Sequence, residues 1–225
     1  MLERTPGLIR DNVYDKIRAD ILTCVFAPGV QLQENDLAER YAVSKSPVRD
    51  ALLRLQEQGL IEVLPRKGYR VRPISVSDAR ELYEVRIMLE KACAKRAIET
   101  ASDDALQSLD AFRGNEEHDS LAAWVTYNGD FHSAIADLSG NSRLSRMTRD
   151  VIDQFDRLTF MGVSGSPSNG SGFDDMSADL VHEHDAIIDA IQARDKSRAA
   201  SLIGAHIKKS QKRVFAVLEN PPIVQ

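Results

Sequence analysis

Cysteine is nearly absent. Only Cys24 and Cys93 occur, far apart and inside helix-like stretches. They form no metal-binding or redox spacing, so reduced thiols in a cytoplasm are the expectation. No apolar run approaches the roughly 20 residues that a membrane helix requires. The opening residues Met1-Leu2-Glu3-Arg4-Thr5-Pro6 lack the apolar core of a signal peptide. There is no internal repeat. Charge of one sign is also not in large excess, since the net charge is −5. That value argues weakly against a nucleic-acid partner until it is divided along the chain. Residues 1–75 hold 12 Lys/Arg against 10 Asp/Glu, while the remainder holds 17 against 24. A slightly basic head on an acidic body suits a DNA reader attached to something else.

What is present is hydrophobic periodicity. With 43% hydrophobic and 28% charged residues, 225 residues suffice for two modest domains. Val13, Ile17, Ile21 and Val25 recur at four-residue steps and predict a helix over 12–25, stopped by Ala27-Pro28-Gly29. Leu37, Ala38 and Tyr41 mark a short second helix entered from 33–36, and a turn at Ala42-Val43 follows. Then Val48, Ala51, Leu52 and Leu55 make the apolar stripe of a third helix. Ser44 or Ser46 can cap its start, and Pro47 fits its first turn. Ser46 and Arg49 point away from the stripe, and Lys45 sits at the helix N-terminus. Arg suits guanine edges, while Ser, Lys and a helix N-terminus suit phosphates. Two short helices joined by a tight turn, the second presenting such groups, form a helix-turn-helix.

Residues 60–64 and 69–72 alternate with period two around Pro65-Arg66-Lys67-Gly68, which predicts a hairpin with a basic tip. The plain alternative for Arg66 and Lys67 is a solvated turn. Ser75-Val76-Ser77-Asp78 has the form of a capping box opening a long helix to about Thr100, with Leu82, Val85, Leu89, Ala92, Cys93 and Ala97 as its apolar stripe. Further helices are predicted at about 103–117, 119–138, 141–162, 177–193 and 195–218. The Gly- and Ser-rich stretch 162–172 reads as a connector. The fold class is therefore mainly α. A winged helix-turn-helix of three helices plus a β-hairpin (1–73) leads through a short linker (74–76) into an all-α helical bundle (77–225).

Several segments together carry a family resemblance. Ala27-Pro28-Gly29, Leu37-Ala38-Glu39-Arg40, Val43 to Leu52 and Gly59-Leu60-Ile61-Glu62 fall in order at the separations of a known DNA-binding domain. They resemble the GntR family of bacterial transcriptional regulators. Leu82-Tyr83-Glu84-Val85-Arg86 with Leu89-Glu90, then Phe131-His132, Ser139-Gly140-Asn141, Glu183-His184 and His206, resemble the FCD domain of its FadR-type subfamily. One departure is Gln33, where the family usually has a Ser-like cap.

The resemblance implies a homodimer that binds operator DNA at an inverted repeat, through Ser44, Lys45, Ser46 and Arg49 with Arg66, Lys67 and Gly68 of the wing. It also implies a metal site, because metal-binding FCD domains use one Asp or Asn plus three His. Here those positions are Asn128, His132, His184 and His206. Asn128 and His132 stand four residues apart and share a helix face; Asp130, two residues on, points elsewhere. Three imidazoles and an amide oxygen are formally neutral and suit Zn²⁺ or Ni²⁺. An ion so held keeps its charge and attracts an anion. A small carboxylic-acid effector near Arg86 is the expectation, although an ion pair of Arg86 with Glu90 or Glu84 is the plain alternative. His182 reads as a surface residue. The expected function is a ligand-responsive regulator, a repressor released by the acid. A metal sensor without organic effector is a second reading. A metal-dependent hydrolase is a third, which lacks a general base and leaves the helix-turn-helix unexplained.

Overall fold

Val13, Ile17 and Ile21 are buried on one face of α1 (Pro6–Leu22), as their spacing requires. Val25 is not part of that face and is 55% exposed. The helix ends three residues earlier than its apolar spacing suggests. Cys24 takes φ 55°, and the N–H groups of Cys24 and Phe26 donate back to the carbonyls of Ile21 and Asp20. A left-handed residue just past the last turn closes a helix by satisfying its orphan carbonyls. The computed structural model describes residues 6–114, 118, 120–164 and 173–219. The chain divides into two compact units, Met1–Ser75 and Val76–Gln225.

In the first unit, α2 (Glu34–Arg40) and α3 (Lys45–Glu57) are joined by a turn in which Ala42 has φ 53°. Val48, Ala51, Leu52 and Leu55 of α3 are all 1% exposed or less and pack against α1. The predicted hairpin is β2 (Ile61–Leu64) and β3 (Gly68–Val71), antiparallel with Ile61 opposite Val71 and Leu64 opposite Gly68. A further strand, β1 (Gln31–Leu32), pairs antiparallel with β3, so the sheet order is β1-β3-β2. Two residues are too few for a period, which is why the sequence reading contains no such strand.

The second unit consists of α4 (Val76–Thr100), α5 (Asp103–Gln107), a 3-10 turn Ser108–Phe112, α6 (Leu121–Leu138), α7 (Ser142–Ser164), α8 (Phe173–Gln192) and α9 (Lys196–Glu219). The helix expected over 103–117 is thus broken, because the chain tightens into the 3-10 turn at Ser108. Helix α7 continues through Gly162, where the missing Cβ matters: one added there would meet Val214 Cγ2 at 2.8 Å. The remainder of the expected connector, residues 165–172, lies outside the described residues. Helix α4 packs against α6, α7 and α9. Its buried face matches the predicted one at Cys93 and Ala97 but departs from it earlier in the helix. Ala79, Tyr83, Arg86, Glu90, Cys93 and Ala97 are buried, whereas Val85 is 39% exposed and Ala92 is exposed. The stripe is displaced because two of the inward positions carry charge. Among the described residues no helix is long and apolar enough to cross a membrane.

Candidate functional site

On the first unit, Ser44, Lys45, Ser46 and Arg49 are exposed, on the side of α3 opposite its buried stripe. Ser44 is the N-cap residue, but no side-chain cap hydrogen bond closes the helix start. The Ser44 hydroxyl and the first N–H groups of α3 therefore stand ready for an outside acceptor. Arg49 Nε donates to Glu34 Oε2 at 2.6 Å. Glu34 lies 15 residues away, and nothing local in the sequence announces this pair. It holds the guanidinium over α2 with its outer edge in solvent.

Arg66 and Lys67 are exposed at the hairpin tip, where Arg66 takes φ 64°. Gly68 has φ +87°, and a Cβ there would meet the Leu32 carbonyl oxygen at 2.6 Å. Its glycine is demanded by the close approach of β1, whatever it does with DNA. Gln33, the departure from the family's cap, makes no cap hydrogen bond at α2. Its Nε2 donates instead to the Lys67 carbonyl at 2.7 Å and ties the tip to the start of α2.

The second unit brings the three histidines together. His132 on α6, His184 on α8 and His206 on α9 are 1%, 0% and 4% exposed. Each offers a ring nitrogen, and these nitrogens lie within 4.8 Å of one another. Two of the rings are oriented by carboxylates. His132 Nδ1 is 2.7 Å from Glu90 Oε2, and His206 Nδ1 is 2.8 Å from Glu183 Oε2. His132 Nε2 and both nitrogens of His184 are buried with no hydrogen-bond partner among the described residues. Phe131 stacks on the His184 ring with centroids 3.9 Å apart.

Burial disfavours the charged form of two of the rings. Burial pushes His132 down to about 4, although the Glu90 carboxylate pulls the other way. Burial, with His206 and His132 alongside, pushes His184 well below its usual range. Burial also opposes the charge on Glu90, but Arg86 and His132 overcome it and hold the carboxyl at about 2. Three convergent imidazoles, two of them with orphaned nitrogens, fit a transition-metal ion. Buried polar atoms are otherwise almost always paired.

Arg86 is 2% exposed. Its Nε donates to Glu90 Oε1 at 2.5 Å, and its guanidinium lies 4.6 Å from the Phe155 ring centroid. The ion pair is with Glu90, not Glu84. Arg86, Asn128, Thr159, His206, Ser210 and Arg213 line one cavity of about 10 Å³. That is room for about one water. Asn128 is 7% exposed and stands one turn before His132, while Asp130 is exposed. His182 is exposed, and His118 packs its ring 4.7 Å from Tyr127.

Arg213 carries no motif or spacing signal in the sequence, and Glu183 only the resemblance. Glu183 neighbours His184 in sequence but serves His206 on the next helix. That is a tertiary relation with no spacing signal.

Comparison with known proteins accounts for both units. Residues 9–71 match the bacterial regulatory proteins of the gntR family, and residues 81–209 match the FCD domain. An HTH-type transcriptional regulator in an unstable DNA locus of Streptomyces ambofaciens is 30% identical over 88% of this chain and 82% of its own length. The HTH-type transcriptional repressor RspR of Escherichia coli is 26% identical over 92% of this chain and 89% of its own. The solved structure of E. coli McbR/YncC shares the fold, with a TM-score of 0.76 at 18% identity over 92% of this chain and 97% of that one. A GntR match over the head, followed by an FCD domain matched over most of the helical unit, leaves one assignment: the chain belongs to the GntR family of bacterial regulatory proteins and is a DNA-binding transcriptional regulator, not an enzyme.

Proposed function

We propose that this regulator is a homodimeric repressor of a catabolic operon, released when a small organic acid binds beside a divalent metal ion in the helical unit. One observation carries the reading: three buried imidazoles with ring nitrogens within 4.8 Å of one another, several of them lacking any hydrogen bond. Asn128, His132, His184 and His206 would hold the ion, and Zn²⁺ or Ni²⁺ suits them. Glu90 and Glu183 fix the tautomers of His132 and His206, turning Nε2 of each inward. A bound ion supplies positive charge that four neutral ligand atoms leave uncompensated. Arg86 lines the adjoining cavity and would receive a carboxylate oxygen.

Repression follows the printed description of RspR as a repressor. Dimerisation is supported by α4, whose outer stripe leaves Val85 39% and Met88 63% exposed. Two heads then read the halves of an inverted repeat, with Arg49 at a base edge and Ser44, Lys45, Ser46, Arg66 and Lys67 on the backbone. Only residues 72–75 separate β3 from α4, the helix that carries Arg86. A shift of α4 on acid binding therefore has a short route to the head.

The test is elemental analysis of purified protein, followed by operator binding with and without candidate acids. About one ion per chain is expected, lost in His184→Ala, together with an acid that lowers operator affinity. A protein that takes up neither Zn²⁺ nor Ni²⁺ would end the reading. The tightness of the cavity favours one alternative, a metal sensor with no organic effector. Under that reading a chelator alone changes operator affinity and no acid adds to it.

A further inference from the structure

Arg213 is the one guanidinium on the cavity wall with no hydrogen-bond or ion-pair partner among the described residues. It is partly buried, and burial works against its charge, although the Glu183 carboxylate pulls the other way without reaching ion-pair distance. Its neighbours are committed elsewhere. Glu90 is shared by Arg86 at 2.5 Å and His132 at 2.7 Å. Glu183 bonds both His206 and Lys209. Both carboxylates thus already have hydrogen-bond partners, while Arg213 makes no hydrogen bond or ion pair to either. An arginine taken partly out of water without an anion is unfavourable unless something supplies that anion.

The placement of Arg213 says what is missing. His206, Ser210 and Arg213 follow each other at i, i+4 and i+7, so they share one face of α9, and all three line the cavity. Resting on the acid-binding reading above, we propose that the cavity takes a dianionic ligand, a short-chain dicarboxylate. One carboxylate lies at the His206–Asn128 end near Arg86, and the other lies on Arg213. About 10 Å of helix rise separates the Cα atoms of His206 and Arg213. Helical side chains lean back toward the N-terminus, so the guanidinium reaches toward His206 and the gap it leaves is shorter than that rise. Ser210, whose hydroxyl is 3.1 Å from the Tyr83 hydroxyl, stands between them and offers a hydrogen bond to the ligand's middle. The space is tight as folded. Arg213 is partly exposed and its long side chain makes no hydrogen bond or ion pair among the described residues, so its outward swing admits the ligand and its return closes on the second carboxylate.

The test uses full-length, Zn²⁺-loaded protein and matched pairs of acids: succinate with butyrate, glutarate with valerate, adipate with hexanoate. Each pair shares its carbon count and differs by one carboxylate. Calorimetric titration should give at least one pair in which the diacid binds about tenfold more tightly or better, as a charge-assisted bidentate contact predicts. Arg213→Ala should erase that preference while leaving the monoacid within about twofold. Arg213→Lys should recover part of it, and Arg198→Ala, on the same helix but away from the cavity, should change nothing. Melting curves and zinc content verify that each variant is folded and loaded. Equal affinity for both members of every pair, or a preference that survives Arg213→Ala, overturns the clamp and leaves the acid site standing. Failure of all six acids to bind overturns the clamp and the acid-binding reading together.

Discussion

The two units place their polar chemistry on opposite sides of their surfaces. In the head, Ser44, Lys45, Ser46, Arg49, Arg66 and Lys67 are exposed, and the core cluster of Ile17, Leu52, Leu55, Ile61 and their neighbours is apolar. In the helical unit, Arg86, Glu90, Asn128, His132, His184 and His206 are all less than 9% exposed. The head therefore folds by hydrophobic burial, and its surface is free to serve DNA at little energetic cost. The helical unit carries charges and imidazoles through its centre, where burial is costly unless every group is paired. The imidazole nitrogens without a hydrogen bond among the described residues there oppose stability.

The sharpest way to break this contrast is to remove a buried charge. Glu90→Ala strands the Arg86 guanidinium and the His132 ring, and should cost about 3–5 kcal/mol in urea unfolding. Lys45→Ala, on the exposed face of the head, should stay within about 0.5 kcal/mol by the same measurement. Similar costs for the two substitutions would erase the distinction between the units.

Metal addition sharpens it from the other side. Zn²⁺ at a thousandfold excess over its dissociation constant should stabilise the helical unit by about 4 kcal/mol. The gain should be read as a higher melting temperature that EDTA reverses and His132→Ala abolishes. A melting temperature indifferent to both ions and chelator leaves the orphan nitrogens unexplained.

On the head, function and stability should separate. Arg49→Ala should lower operator affinity by about 1–3 kcal/mol and relax preference at one position per half-site. Its unfolding midpoint should barely move, since its pair with Glu34 is 63% exposed on the arginine side. Anisotropy titrations over a set of operator variants check the first part. The smallest effect is expected at the wing: Lys67→Ala should weaken all sequences alike and reduce the salt slope by about one phosphate contact. A sequence-dependent loss would instead assign Lys67 to base reading.

The same contrast governs how much could be read in advance. The stripe Val48, Ala51, Leu52 and Leu55 was legible because inward residues in the head are apolar, and period alone marks them. On α4 the same rule finds Cys93 and Ala97 but selects Leu82, Val85 and Leu89 where the inward face passes through Tyr83, Arg86 and Glu90. Hydrophobic periodicity mis-phases a helix whose buried positions are charged. Strand β1 escaped for a different reason: it exists only because β3 offers an edge to pair with.

The amino-acid sequence by itself determined what local chemistry controls. Helix and turn content, the exposed basic end of α3, the hairpin tip around Gly68 and the inward pairing of Asn128 with His132 at i and i+4 all depend on residues a few positions apart. Only the tertiary structure decided the rest. The convergence of His132, His184 and His206, the tethering of Arg49 by Glu34 and the choice of Glu90 and Glu183 as partners each join residues on different elements. Such contacts are selected when whole helix faces pack against one another, and spacing along a single helix carries no record of which neighbour its face will meet.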